Sequence, residues 1–143
     1  MRELEKGDLK YLSLFLRFWL PVLGYITLIF AVSSVSDLPG PKLFPHMDKV
    51  AHLVEYGILG FLVGRTFRNA GPRFVTKFWF GLAIIATIAV GLLDEAFQST
   101  VPGRESSRFD FTADMIGAAV GLAALIQGER LWKRNEKKDG YNR

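Results

Sequence analysis

The chain has 143 residues, half of them hydrophobic, with 12 Phe, no Cys and a formal net charge of +4. Its apolar content falls in blocks of membrane-spanning size, which argues against a soluble domain, and the missing cysteines exclude disulfides and thiolate metal sites without identifying a redox compartment. The basic residues flank apolar runs and form no stripe with interleaved aromatics, so anionic lipid headgroups explain the charge better than nucleic acid, which is not expected as a partner.

The first apolar run carries no charge from Phe18 to Ser36, 19 residues, and at about 1.5 Å per residue it nearly matches a hydrocarbon core about 30 Å thick. With its flanks, this first span is placed at about 12–34. The second is expected at about 50–67, the third at 74–98 and the fourth at 111–132, followed by a basic tail over 133–143. Their uncharged cores are short: nine residues between Glu55 and Arg65, sixteen between Lys77 and Asp94, fourteen between Asp114 and Glu129. Each crosses only by carrying acidic groups into the membrane's edge. The expected fold is an all-α, polytopic four-helix membrane bundle formed by a single domain, 1–143.

Charge orients it. Arg2, Lys6, Lys10 and Arg17 precede or enter the first span, Arg65, Arg68, Arg73 and Lys77 join the second to the third, and Arg130, Lys133, Arg134, Lys137, Lys138 and Arg143 follow the fourth. These are 14 of the 18 basic residues, so both termini are expected on the cytoplasmic side. Eight of the 14 acidic residues, Asp37, Asp48, Glu55, Asp94, Glu95, Glu105, Asp110 and Asp114, fall on or toward the outside. Ala31-Val32-Ser33 resembles a small-residue cleavage site, but the charged leader is long for a signal peptide, and residues 1–33 are read as retained. The stretch with Pro39, Gly40, Pro41 and Pro45 is expected as an irregular outer loop. Gly57, Gly60 and Gly64, with Gly117 and Gly121, include small-xxx-small spacings that let helix backbones approach.

The candidate chemistry lies at the ends of the last three spans, where ionisable groups near hydrocarbon are costly and usually functional. Asp48, His52, Glu55, Tyr56 and Leu59 share one helical stripe, so one face offers two acids, an imidazole and a phenol. An interfacial histidine with a belt tyrosine is the structural alternative. Asp94 and Gln98 lie one turn apart, while Glu95 is rotated by about 100° toward a different neighbour. Pro102-Gly103-Arg104 presents a guanidinium suited to phosphate or carboxylate, with Ser106 and Ser107 as turn or capping groups. Asp110 suits the start of the fourth helix as a cap; Asp114, one turn deeper, needs a partner such as His52, Arg104 or a metal. Several carboxylates and one His would accept a hard divalent cation, but the spacing is not diagnostic. His46 reads as a solvated loop residue.

These residues together resemble the VanZ-like family of small bacterial membrane proteins. The resemblance covers about Tyr25 to Ile126 and rests on Ser33-Ser34, Asp48-Lys49-x-x-His52-x-x-Glu55-Tyr56-x-x-Leu59-Gly60, Asp94-Glu95-x-x-Gln98, Pro102-Gly103-Arg104 and Asp110-x-x-x-Asp114-x-x-Gly117. It implies four membrane helices in the bacterial cytoplasmic membrane, motif residues gathered at the outer end, and an association with teicoplanin resistance; it settles no chemistry. Many relatives carry Asn where this chain has Asp114, which removes an amide donor there. The leading expectation is a site that binds or modifies an envelope lipid or lipid-linked precursor. His52, Glu55, Asp94 and Glu95 are its acid/base candidates, and Lys49, Tyr56, Gln98, Arg104, Asp110 and Asp114 hold the ligand or orient a cation. The alternative is an assembly or antibiotic- or lipid-binding protein whose polar cluster is structural. A transporter fits less well, because the first span offers no acidic relay and the cytoplasmic halves are apolar.

Overall fold

The computed structural model describes residues 2–36, 46–104 and 108–141, with side chains for 8–36, 46–104 and 109–138. The loop through Pro39, Gly40, Pro41 and Pro45, together with Asp37, Glu105, Ser106 and Ser107, lies outside the described residues. The described chain is all-helical: α1 (Arg2–Leu14), a π-helical turn (Phe15–Trp19), α2 (Leu20–Ser33), α3 (Met47–Ala70), α4 (Arg73–Lys77), α5 (Trp79–Gln98) and α6 (Arg108–Tyr141).

The first helix runs unbroken through its π turn because Pro21 lacks the N–H that would bond back to the Arg17 carbonyl. Neighbouring side chains take up the freed acceptors, as a helix in an apolar environment requires. Arg65 Nη1 donates to the Arg17 carbonyl at 3.4 Å, and Thr66 Oγ1 donates to the Phe18 carbonyl at 2.9 Å. The irregularity thus docks this helix on α3.

Among the described residues, three segments are long and apolar enough to cross a membrane: Asp8–Ser33, Trp79–Gln98 and Phe109–Lys138. The segment expected at 50–67 is not among them, because α3 carries Asp48, Lys49, His52, Glu55, Arg65 and Arg68. It is wrapped by the others, packing most extensively on α6 and also on α5 and α2. His52, Tyr56, Leu59, Val63 and Thr66 form its buried stripe, and Val22, Ile29, Ala83 and Leu122 complete the core. Leu23, Leu28, Ile58, Ile85, Leu93, Ile116 and Val120 lie exposed on the outside. An apolar exterior around a partly polar interior is the arrangement lipid demands.

Two boundaries differ from expectation. The run expected to start at Phe74 breaks at Phe78 (φ −108°, ψ 21°), so α4 is a separate turn behind Pro72 and the apolar helix starts at Trp79. The expected tail from Lys133 continues α6 to Tyr141: it holds no proline or glycine before Gly140, its Lys, Arg and Glu are good helix formers, and Trp132 Nε1 donates to Glu136 Oε1 one turn on, at 2.9 Å.

The pairs Lys49–Asp110, His52–Asp114 and Arg68–Glu129 show that α3 and α6 run parallel. Their middles meet backbone on backbone. A methyl added at Gly60 would sit 2.6 Å from the Ala118 carbonyl oxygen, and one at Gly117 or Gly121 would collide with the carbonyls of Leu53 or Gly57. This is the small-residue packing expected from the glycine spacing.

Candidate functional site

The starts of α3 and α6 and the ends of α2 and α5 come together at one end of the molecule. There Lys49 Nζ bridges Asp110 Oδ1 at 2.6 Å and Asp48 Oδ2 at 3.0 Å. Asp48 and Asp110 lie in the first turns of their helices, where the free amides and helix dipole also favour a carboxylate. Ahead of the apolar run, the Asp110 contact, then that with Asp48, raises the Lys49 ammonium above its usual range, while the Lys49 hydrogen bond lowers the Asp48 carboxyl.

One turn deeper, His52 Nδ1 lies 2.9 Å from Asp114 Oδ1, both residues buried. His52 stacks nearly parallel to Tyr56, 6.5 Å between centroids. From α5, the two adjacent carboxylates diverge as their 100° offset anticipates. Asp94, fully buried, accepts from Gln98 Nε2 at 2.9 Å, and the same amide donates to Ser33 Oγ on α2 at 3.1 Å. Glu95 turns instead toward His52 and Asp114, and one ligand atom from each of the three lies within 4.8 Å of the others.

Three buried atoms here have no hydrogen-bond partner among the described residues: Tyr56 Oη, Asp94 Oδ1 and Asp114 Oδ2. The Tyr56 hydroxyl faces Asp94. Unpaired buried polar atoms cost roughly 1–3 kcal/mol each, and these lie together at one end of the molecule. Gly91 makes room for them: a methyl there would meet the Tyr56 ring at 3.3 Å and Asp114 Oδ2 at 3.5 Å.

Not every candidate joins this group. Asp48 was expected on one stripe with His52, but its side chain is 60 % exposed, because the helix start projects it outward. Glu55, half-buried, sits one residue off the His52–Tyr56 line and faces Tyr25 in a shallow groove between α2 and α3. Arg104, carried on a turn whose Gly103 has the positive φ of 82° that glycine adopts freely, donates from Nη1 to the Val35 carbonyl at 3.0 Å. It lies within electrostatic reach of Glu55 at the mouth, not inside the cluster. Exposed His46 has its own left-handed φ of 64° and accepts the first amides of α3 at its carbonyl. Ser33, part of the Ser33-Ser34 motif, joins the site through Gln98, whereas Gly91 had no expected role there, its one signal being a glycine one turn before Glu95.

The polar end is continuous with an apolar groove. Between α5 and α6 lies a cavity of about 160 Å³, walled by Ile84, Ile88, Phe111 and Met115 and reaching Asp114. Apolar cavities near 150 Å³ accept small hydrocarbons. Phe111 is the one aromatic residue in its wall, and aliphatic side chains supply most of the rest.

The opposite end is basic and aromatic. Arg17 and Arg65 lie over the Phe18 ring, Arg68 lies over Trp79 and pairs with Glu129, and Lys77 lies over Phe78. Cation–aromatic pairs of this kind suit a membrane interface.

The model of the VanZ/LLP1 family matches residues 9–131, most of the chain. The protein belongs to the VanZ/LLP1 family, and with its apolar helices it is a membrane protein. No curated protein and no solved structure matches it.

Proposed function

We propose that this is a four-span protein of the bacterial cytoplasmic membrane, with both termini cytoplasmic. Its polar end then faces the extracytoplasmic side and binds or modifies an anionic envelope lipid or a lipid-linked cell-wall precursor. The orientation rests on the basic and aromatic end carrying Arg17, Arg65, Arg68 and Lys77, the side that stays cytoplasmic. In this reading α3 is the fourth span, tolerated because His52 and Thr66 face protein and Asp48 sits at its outer start.

One observation carries the ligand class: Asp114 belongs both to the polar cluster and to the wall of the apolar α5–α6 groove. A site with a charged head and a hydrocarbon wall fits an amphiphile. Lys49 and Arg104, at the mouth, are placed to attract a phosphate. In the enzyme version His52 moves a proton, with Asp114 holding its Nδ1 side and Glu95 close by. In the binding version the same groups hold a headgroup without turnover. A link to glycopeptide tolerance follows if the lipid is a cell-wall precursor.

Mass spectrometry of the protein in lipid discs, before and after incubation with envelope lipids, tests this. A converted lipid that disappears in His52→Gln and Asp94→Asn identifies an enzyme. A retained, unaltered lipid lost in Arg104→Ala identifies a binding protein. No retained lipid, with those variants unfolding instead, would support the second reading, favoured by the His52–Asp114 and Lys49–Asp110 bridges: a polar cluster that only locks α3 to α6.

A further inference from the structure

We infer that His52, Glu95 and Asp114 form a binding site for a divalent cation of the zinc type. The three donors come from α3, α5 and α6, and their ligand atoms converge to within 4.8 Å of one another. Asp114 is 2 % exposed, and while Oδ1 meets His52, Oδ2 has no partner. That buried, unpaired acceptor is a second observation pointing to a ligand. The Tyr56 ring and Asp114 Oδ2 lie on either side of Gly91.

Charge points the same way. Asp94 and Asp114, two carboxylates, are buried in one interior. Buried carboxylates need a compensating positive charge. One imidazole nitrogen with two carboxylate oxygens is a borderline donor set, which favours zinc over magnesium or calcium. Three protein ligands leave a zinc ion an open position. The cluster adjoins the α5–α6 groove at Asp114, so that position can receive an oxygen of a phosphate or a water. The cation's role toward a headgroup rests on the reading above; its binding does not.

The test uses the full-length protein in detergent, stripped by chelator and titrated with Zn²⁺ alone. About one Zn²⁺ per chain is expected by calorimetry and elemental analysis, with Mg²⁺ failing to compete. The melting temperature should rise with zinc and not with magnesium, a readout that needs no variant. His52→Gln, Glu95→Gln and Asp114→Asn should each weaken binding by about 100-fold or more, while Asp48→Asn leaves it unchanged. Absence of saturable zinc binding by the wild type, or undiminished affinity in folded Asp114→Asn, overturns the site. Lipid retention is then measured with zinc and with chelator. Zinc bound without lipid defeats the lipid reading and leaves the site standing; lipid held equally well in chelator defeats the bridging role.

Discussion

The α3–α6 pair is built differently along its length, although the same two helices face each other throughout. In the middle, Gly57, Gly60, Gly117 and Gly121 bring backbone against backbone, with no room for a single added carbon at the tightest points. Toward the start of both helices the contact passes to side chains, Lys49 with Asp110 and His52 with Asp114. Where lipid removes the usual hydrophobic drive, close packing is what holds helices together. The glycine half therefore supplies the association, and the polar half is free to keep groups such as Asp94 Oδ1 and Asp114 Oδ2 without partners.

The sharpest way to break this division is at Gly121. Gly121→Val should cost roughly 3 kcal/mol or more, because the obstructing atoms are the Gly57 and Phe61 backbone. Gly24→Ala, where nothing lies within 4 Å, should be neutral or slightly stabilising in the same thermal unfolding assay. Equal losses at both positions would end the argument.

The polar half should show coupling and smaller losses. A double-mutant cycle with His52→Gln and Asp114→Asn should give an interaction of about 1–3 kcal/mol by unfolding in detergent. A value near zero would mean that the pair contributes no mutual stabilisation.

At the rim, Lys49→Met should cost about 1 kcal/mol near neutral pH. The Lys49 ammonium is raised in the folded protein by Asp110 and Asp48. Its contribution is therefore complete below the lysine's unfolded value and fades as pH rises through the folded one. The depressed Asp48 carboxyl works in reverse, contributing above its unfolded value and losing that as pH falls through the folded one. Melting temperatures of wild type and Lys49→Met should converge in strong alkali, and a gap independent of pH would contradict this account.

Among the polar residues, the smallest stability effect is expected at the most buried acid. Asp94→Asn keeps the shape and supplies an amide toward the unpaired Tyr56 hydroxyl, so folding should change by about 0.5 kcal/mol or less. Lipid retention, in contrast, should be lost. A variant that unfolds would place Asp94 with the structural residues.

Much of this was legible in the chain, residue by residue. Glycines three and four apart announced close helix contact, and the 100° offset between Asp94 and Glu95 announced that they would serve different neighbours. The spacing of Asp110 and Asp114 put them in successive turns, with His52 among the partners expected for Asp114. Other placements were not legible. Asp48 and Glu55 share the helical period of His52, yet period alone does not say which part of a stripe a neighbour covers. Ser33 lies 65 residues from the Gln98 amide it meets, and no local pattern connects them.

The sequence alone determined the helical class, four expected spans that include the three long apolar segments, and the separation of basic from acidic ends, because each depends on composition along a single helix. Only the tertiary structure decided that α3, too polar to count as an apolar span, becomes the wrapped centre of the molecule. It also decided that His52, Glu95 and Asp114 converge while Asp94 pairs with Gln98, whose amide also reaches Ser33. The reason is physical: a helix's own period fixes the direction of each side chain, but partners across helices follow from how closely the backbones approach, and here the glycines on α3 and α6 set that distance.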